Sequence, residues 1–174
     1  PRCLSNACYG SHLEFLAHLQ GTKMKLEYLM TYRADLKEAT PIERAPSGNR
    51  RIIDVVGGTF EGPKLQGTIL PSGGDWLIIG SDGVSRLDVR ITLLTDDGAC
   101  IYVQYYGINV TSEVSRSKRA KGESTDFGDA YFMTSPRFEA GDSRYAWLNA
   151  TAAVAEGRGG PGWVEYRVYE VVNG

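Results

Sequence analysis

The sequence predicts an all-β fold, either an antiparallel barrel or a sandwich. Three observations support this prediction. From Lys25 to Arg33, apolar side chains alternate with polar ones, which is the period of a strand with one apolar face. Clusters of Gly, Pro, Asp and Ser separate the later apolar segments at short intervals, as hairpin turns require. Helical periodicity is almost absent after Met24.

Residues 1–23 differ from this pattern, and we treat them as an N-terminal extension of a β-domain that spans residues 24–174. Ser11 and Glu14 have the spacing of a capping box, and apolar residues recur at helical spacing up to Gly21. A short amphipathic helix is therefore predicted here. Three interpretations of the segment stay open: a simple extension, a helix that docks a partner, and an artefact of upstream sequence.

The β-domain contains nine candidate strands, each bounded by turn residues. They cover residues 26–33, 51–56, 64–70, 75–79, 84–94, 99–106, 130–134, 145–154 and 163–172. Residues 37–49, which include prolines and charged side chains, are predicted to form a loop. The charged segment 111–121 is compatible with a helix, and we interpret its charges as a solvated face rather than a binding patch.

The charge balance gives no support for a nucleic-acid-binding or membrane-surface protein. The chain has 19 basic and 21 acidic residues, for a net charge of -2. Its three cysteines, Cys3, Cys8 and Cys100, lack metal-ligand spacing, which is typical of thiols in a reducing compartment. No apolar segment approaches the length of a membrane span. We therefore expect a cytoplasmic protein with no nucleic-acid or membrane partner.

The motifs that the sequence lacks narrow its chemistry. It has no dinucleotide-binding glycine motif, no phosphate-binding loop, no Gly-x-Ser-x-Gly and no Cys-x-x-Cys. Its histidines, His12 and His18, both precede the β-domain, so a histidine metal site or a Ser-His-Asp triad in that domain is excluded. We expect no metal and no cofactor, and acid-base chemistry must then use Asp, Glu, Tyr, Lys or Arg.

The segment Gly57-Gly-Thr-Phe-Glu-Gly-Pro63 joins or kinks two predicted strands and presents one ionisable side chain, Glu61. Glycines at such a position indicate a bulge or a close approach of two backbones. Two interpretations stay open. One is a tight β-connection with a solvated Glu61, and the other is a strand bend that brings Glu61 to a pocket.

The strands 84–94 and 99–106 carry a second set of candidate residues. If the Asp-Gly turn between them has two residues, Arg90 pairs with Tyr105, and Asp88 shares their face. A three-residue loop would shift this register by one. An acid, a base and an aromatic side chain on one face suit either solvent or the lumen of a small barrel that holds one ligand. Both settings stay open.

Aromatic residues in the same β-rich region are interpreted either as ordinary core or as pocket walls. They are Trp76, Tyr131, Phe138, Tyr145 and Trp147. In the predicted strand 145–154, Asn149 lies on the same side as Tyr145 and Trp147. That side combines stacking surfaces with a hydrogen-bonding group, as a ligand pocket requires.

A series of motifs together resembles the family called domain of unknown function 3237. The motifs are Gly57-Gly-Thr-Phe-Glu-Gly-Pro63, Leu70-Pro-Ser-Gly-Gly-Asp-Trp76, Leu87-Asp-x-Arg90, Thr95-Asp-Asp-Gly-Ala99, Pro136-Arg-Phe-Glu139 and Tyr145-Ala-Trp-Leu-Asn149. They occur in order between about residues 26 and 171. The resemblance implies a single antiparallel β-barrel of lipocalin-like (calycin-like) shape, preceded here by the short N-terminal helix. It implies little about the reaction, because most members have no established activity.

The sequence departs from the family pattern at three places. Asn109 stands where the family tends to have a histidine, Met133 stands where an arginine is common, and residues 150–153 replace an Arg-Ser-Leu-Phe run. Any role that depends on that histidine is missing from this chain. Smaller and less charged residues would widen and dry a cavity, which favours a bulky and largely apolar ligand.

The resulting hypothesis is a cofactor-independent enzyme acting on a hydrophobic small molecule, namely a cyclase, isomerase or dehydratase of secondary metabolism. Asp88 or Glu61 would transfer the proton, and Arg90 and Tyr105 would stabilise negative charge on a carbonyl oxygen. The substrate-binding residues would be Thr59, Trp76, Val103, Tyr131, Met133, Phe138, Trp147 and Asn149. The alternatives are a binding barrel that catalyses no reaction and an assembly module. A homodimer is a further expectation.

Overall fold

The structure is a computed structural model that describes residues 23–174. Within these residues the chain forms nine strands, one α-helix and one 3-10 helix. The strands are β1 (Lys25–Leu36), β2 (Thr40–Ala45), β3 (Gly48–Glu61), β4 (Gln66–Ile79), β5 (Ser85–Thr95), β6 (Cys100–Val110), β7 (Tyr131–Ala140), β8 (Ala153–Gly160) and β9 (Trp163–Val172). Helix α1 spans Glu113–Ala120, and the 3-10 helix spans Ser143–Ala150. The helix predicted near Ser11 lies outside the described residues.

Strand β1 closes the sheet into a barrel. All pairings are antiparallel in the order β1-β9-β8-β7-β6-β5-β4-β3-β2, and β1 also pairs with β3. Eight strands therefore form a closed barrel, and β2 is an arm that pairs with β3 outside it. The prediction of an all-β fold with a single antiparallel barrel is confirmed. No helix within residues 23–174 is long and apolar enough to cross a membrane.

Alternation along the strands separates an inner face from an outer face. On β5 every second side chain is buried inside the barrel, namely Leu87, Val89, Ile91 and Leu93. The intervening Asp88 and Arg90 lie on the outer face, where they remain partly exposed. Leu93 and its β6 partner Ile101 have no exposed surface, so the interior is tightly packed at their end of the barrel.

The glycine-rich segment forms the last part of β3 rather than a turn. Register shifts occur at this point against both β1 and β4, so the predicted kink is confirmed. At Gly58 the φ angle is 140°, and a Cβ atom would lie 2.1 Å from the carbonyl oxygen of Arg33. Only glycine permits this close approach of the two backbones. Glu61 is the last residue of the strand, and its side chain is exposed.

Three predicted elements differ from the structure. Residues predicted as two strands form the single strand β4, which carries a register shift between Ile69 and Gly73. Residues predicted as part of a loop form β2. The strand predicted over 145–154 is wrong, because Ser143–Ala150 is a 3-10 helix and β8 begins only at Ala153. Asp142 caps the 3-10 helix by accepting a hydrogen bond from the backbone N–H of Arg144.

The turn between β5 and β6 determines which side chains meet inside the barrel. Arg90 pairs with Gln104 and Val89 with Tyr105, so the predicted pairing of Arg90 with Tyr105 is wrong by one residue. The loop has three residues rather than two, and Gly98 has a φ angle of 89°. The Thr95 hydroxyl favours this loop by accepting a hydrogen bond of 2.8 Å from the Ala99 N–H. Asp88 and Tyr105 consequently lie on opposite faces.

Candidate functional site

The barrel interior is open at the end that carries α1 and the β8–β9 turn. A cavity of about 520 Å³ lies there, which is within the range of small-molecule sites. Its wall is mainly apolar and includes Val55, Leu77, Leu87, Val89, Phe132 and Val164. The side chains of Leu93, Ile101 and Val103, which have no exposed surface, fill the opposite half. A ligand can therefore enter only the half that the cavity occupies.

Asp75 is a buried carboxylate that reaches into this cavity. Its strand β4 directs it inward beside Val89 of β5, and it is 9% exposed. Oδ1 of Asp75 accepts a hydrogen bond of 3.1 Å from the backbone N–H of Asp88. Burial raises the pKa of Asp75 to about 7, although that hydrogen bond opposes the shift. Both protonation states are therefore populated near neutral pH, as a proton-transfer group requires.

Three tyrosines form a cluster beside Asp75 at the floor of the cavity. Tyr105 lies in register with Val89, which in turn is paired with Asp75. The ring centroids of Tyr32 and Tyr166 are 5.0 Å apart, and those of Tyr105 and Tyr166 are 5.6 Å apart. Burial raises the pKa of all three hydroxyls, and the nearby Asp75 adds to the effect. Tyr105 and Tyr166 line the cavity and remain hydrogen-bond donors at physiological pH.

The mouth of the cavity has a different set of polar residues. Asn109 near the end of β6 is 6% exposed, and its Oδ1 has no hydrogen-bond partner among residues 23–174. Arg119 of α1 and Glu123, which follows the helix, also line the cavity. Partial burial of its side chain lowers the pKa of Arg119, although the residue as a whole is exposed. The cavity thus has polar groups at both ends and an apolar wall between them.

The segment between β6 and β7 is fixed across the open end of the barrel. Lys118 of α1 contacts Asp126 at 2.8 Å and Asp129 at 2.6 Å. Thr125 donates its backbone N–H to the carbonyl oxygen of Gly159 at 2.8 Å, and its hydroxyl accepts from the N–H of Gly159 at 2.9 Å. These contacts join α1 and the following loop to the β8–β9 hairpin beside the cavity mouth.

Among the residues predicted to be catalytic, Tyr105 lines the cavity and the others do not. The predicted common face for Asp88, Arg90 and Tyr105 is wrong, because the β5–β6 register differs by one residue. Asp88 and Arg90 form a salt bridge of 3.0 Å on the outer face, and the Arg90 guanidinium lies 5.2 Å from the ring centroid of Trp76. Glu61 lies in a separate surface groove.

The predicted substrate-binding residues are dispersed over the barrel, and none of them lines the cavity. Thr59 lies in the same groove as Glu61. Three of the other residues, Trp76, Tyr131 and Met133, are exposed on the outer surface, whereas Val103 and Phe138 are buried. Trp147 packs against the core from the 3-10 helix. Asn149 accepts from the N–H of Ala140 at 2.8 Å and donates to its carbonyl oxygen at 2.9 Å. These contacts hold the 3-10 helix against the end of β7.

Four polar residues that line the cavity were not predicted from the sequence, namely Asp75, Tyr166, Asn109 and Arg119. Asp75 shares its strand face with Leu77 and Ile79, and an acid on an apolar face is a usable signal of a site residue. Trp76 and Ile78 make the opposite face equally apolar, which hid that signal. Arg119 was included in a charge cluster that we interpreted as solvated.

The fold and the cavity define a class of protein, a closed antiparallel β-barrel with a buried carboxyl group in an apolar interior pocket. The family model described as "Protein of unknown function (DUF3237)" matches residues 24–171, and the chain belongs to this family. A UPF0311 protein of Rhodopseudomonas palustris is 35% identical over 125 residues, which cover 72% of this chain and 82% of that protein. A UPF0311 protein of Bradyrhizobium diazoefficiens is 33% identical over 122 residues, or 70% of this chain and 80% of that protein.

Solved structures of relatives share the barrel. The crystal structure of a β-barrel-like protein from Acinetobacter baumannii is 37% identical, with a TM-score of 0.75 over 86% of this chain and 97% of that chain. A protein of unknown function from R. palustris is 33% identical, with a TM-score of 0.80 over 86% of this chain and 99% of that chain. A structure described as an enzyme from Penicillium herquei has a TM-score of 0.60 over 87% of this chain and 95% of that chain. At 18% identity it shows a common fold alone.

Proposed function

We propose that the protein is a cofactor-independent enzyme that moves a proton on a hydrophobic small molecule held in the barrel cavity. Such a step isomerises, cyclises or dehydrates the molecule, depending on which new bond the electron pair of the broken C–H bond forms. The observation that carries the proposal is Asp75, a carboxyl group with a pKa of about 7 in a cavity with a mainly apolar wall. Secondary metabolism as the setting stays a prediction.

The residues at the cavity floor supply the groups that this chemistry needs. Ionised Asp75 removes a proton from a carbon next to a carbonyl group, and the C–H electron pair moves into an enolate. The hydroxyls of Tyr105 and Tyr166 donate hydrogen bonds to the enolate oxygen, while the apolar wall excludes water. Protonated Asp75 then returns the proton at another atom. Tyr105 keeps the role predicted from the sequence, and Asp75 takes the role predicted for Asp88 or Glu61.

The fold is compatible with catalysis. The distant structure from P. herquei is described as that of an enzyme. This comparison supports the proposal only at the level of the fold, because one fold can carry many functions.

The test uses nitrobenzisoxazole, an apolar probe whose C–H proton is removed by a base while its N–O bond breaks to give a coloured nitrophenolate. We expect the wild-type rate to rise with pH around a midpoint of about 7, the pKa of Asp75. Asp75→Asn should lower the rate at least about 100-fold, because it removes the base. Asp88→Asn is the matched control, since its side chain lies on the outer face. An Asp75→Asn variant that folds and keeps the wild-type rate would refute the proposal.

A non-catalytic binding protein is the second candidate, and the mainly apolar wall of the cavity favours it. Trp163 lines the cavity and reports on its occupation through intrinsic fluorescence. Saturable quenching by nitrobenzisoxazole, with no base-catalysed conversion in either wild type or Asp75→Asn, would support this candidate and exclude the enzyme.

A further inference from the structure

Arg119 differs from two neighbouring cations, Lys118 and Arg158, in its electrostatic environment. Lys118 contacts two aspartates, and Arg158 contacts Glu165 at 2.7 Å. Arg119 forms no salt bridge within residues 23–174, and yet it lines the cavity. Arg119 is exposed at the mouth, where its guanidinium group can form a charge-assisted contact with two anionic oxygens.

Asn109 provides a second polar contact in the same part of the cavity. Its side chain is more than nine-tenths buried, and its Oδ1 lacks a partner among the described residues. An unpaired buried amide oxygen is costly, so it indicates a ligand that supplies a hydrogen-bond donor. Asn109 lies four residues from Tyr105 on the same face of β6, which separates the two by about 13 Å along the strand.

We propose that the substrate is an amphipathic carboxylic acid, whose carboxylate binds Arg119 at the mouth while its apolar body reaches Asp75 and Tyr105 at the floor. Asn109 accepts a hydrogen bond from a hydroxyl or N–H group near the carboxylate. The wall between the two ends includes Leu87 and Val89 and suits an apolar body. Glu123 at the mouth disfavours a dianion such as a phosphate ester and thereby favours the singly charged carboxylate.

The assignment of a carboxylic acid substrate rests on the proposed function, but its test measures binding alone. The probes are decanoate, decanol and decyl phosphate, which have the same apolar chain and different head groups. Quenching of tryptophan fluorescence gives the affinity of each probe. We expect decanoate to bind the wild-type protein about 10-fold or more tightly than decanol, as a charge-assisted hydrogen bond predicts.

Three variants test which residues determine the preference for decanoate over decanol. Arg119→Met should reduce decanoate affinity to that of decanol and leave decanol binding unchanged. Arg116→Met is the matched control, because Arg116 lies on the same helix but does not line the cavity, and it should behave like wild type. Glu123→Gln should tighten decanoate binding several-fold, because it removes a like charge from the mouth.

Equal decanoate affinity in wild type and Arg119→Met would overturn the proposal, as would preferential binding of decanol or decyl phosphate. Failure of all probes to bind at millimolar concentration would also overturn it. Arg119-dependent binding of decanoate without any nitrobenzisoxazole turnover would keep this inference and reject the proposed enzyme. Turnover of nitrobenzisoxazole without Arg119-dependent binding of decanoate would keep the proposed enzyme and reject this inference.

Discussion

Asp75 and Asp88 lie on neighbouring strands and are joined by one hydrogen bond, but they have opposite environments. Asp75 faces the interior, where burial raises its pKa to about 7. Asp88 faces outward, where its carboxylate pairs with Arg90 at 3.0 Å. The two residues have the same chemistry, and both belong to motifs of the family. The strand face, rather than the residue type, therefore decides which carboxyl group can exchange protons with a bound molecule.

The largest expected difference is in the pH dependence of stability. Because the folded pKa of Asp75 is raised from 3.8 to about 7, the folded state keeps a proton that the unfolded chain releases in this range. The free energy of unfolding therefore falls as pH rises towards 7 and is constant above it. Asp75→Asn lacks this loss. The difference between its free energy of unfolding and that of wild type should therefore increase by about 4 kcal/mol as pH rises across the range. Urea unfolding at a series of pH values measures the difference.

Asp88→Asn is the control for this measurement. Its side chain is on the outer face, so its stability relative to wild type should vary little across the same range. If the pH dependence of wild-type stability persisted in Asp75→Asn and disappeared in Asp88→Asn, the assignment of the two faces would be reversed.

A second prediction compares adjacent residues on β5. Leu93 is fully buried, and Leu93→Ala should lower the free energy of unfolding by about 3 kcal/mol through the loss of packing. Thr92→Ala on the outer face should change it by no more than about 0.5 kcal/mol. Chemical denaturation of both variants measures the contrast. Equal losses would contradict the observed alternation along the strand.

The smallest effect is expected at the outer salt bridge. Arg90→Met removes the contact with Asp88 and the interaction with Trp76. Because both charged side chains are partly exposed, the loss should be below about 1 kcal/mol and should diminish as salt is added. Nitrobenzisoxazole turnover should be unchanged. A large loss of turnover in this variant would restore the prediction that Arg90 is catalytic.

Period-two alternation correctly predicted the all-β fold and the buried set on β5, because burial on one face of a strand imposes that period. The register of the β5–β6 hairpin was not predictable from the turn sequence. Asp97 bonds the Thr95 hydroxyl, and it also contacts Arg144 at 2.8 Å and the Tyr145 hydroxyl at 3.0 Å. Arg144 and Tyr145 are distant from the loop in sequence, so these last two contacts act on the loop from outside the hairpin.

The 3-10 helix was missed for a related reason. Its residues alternate well enough to resemble a strand, but Asn149 forms two hydrogen bonds with the backbone of Ala140 that hold the segment against the end of β7. The site was less predictable than the fold. Tyr105, which was predicted to be catalytic, lines the cavity, whereas Asp75 was hidden by a strand that is apolar on both faces.

The interior of the barrel is divided into a packed half and an open half. Leu93, Ile101 and Val103 stabilise the barrel without contacting the cavity. Side chains such as Leu77 and Val164, which border the cavity and are only partly buried, can therefore change size at a smaller cost to folding than the fully buried ones. Selection can thus alter the shape of the accepted molecule while the packed half preserves the scaffold.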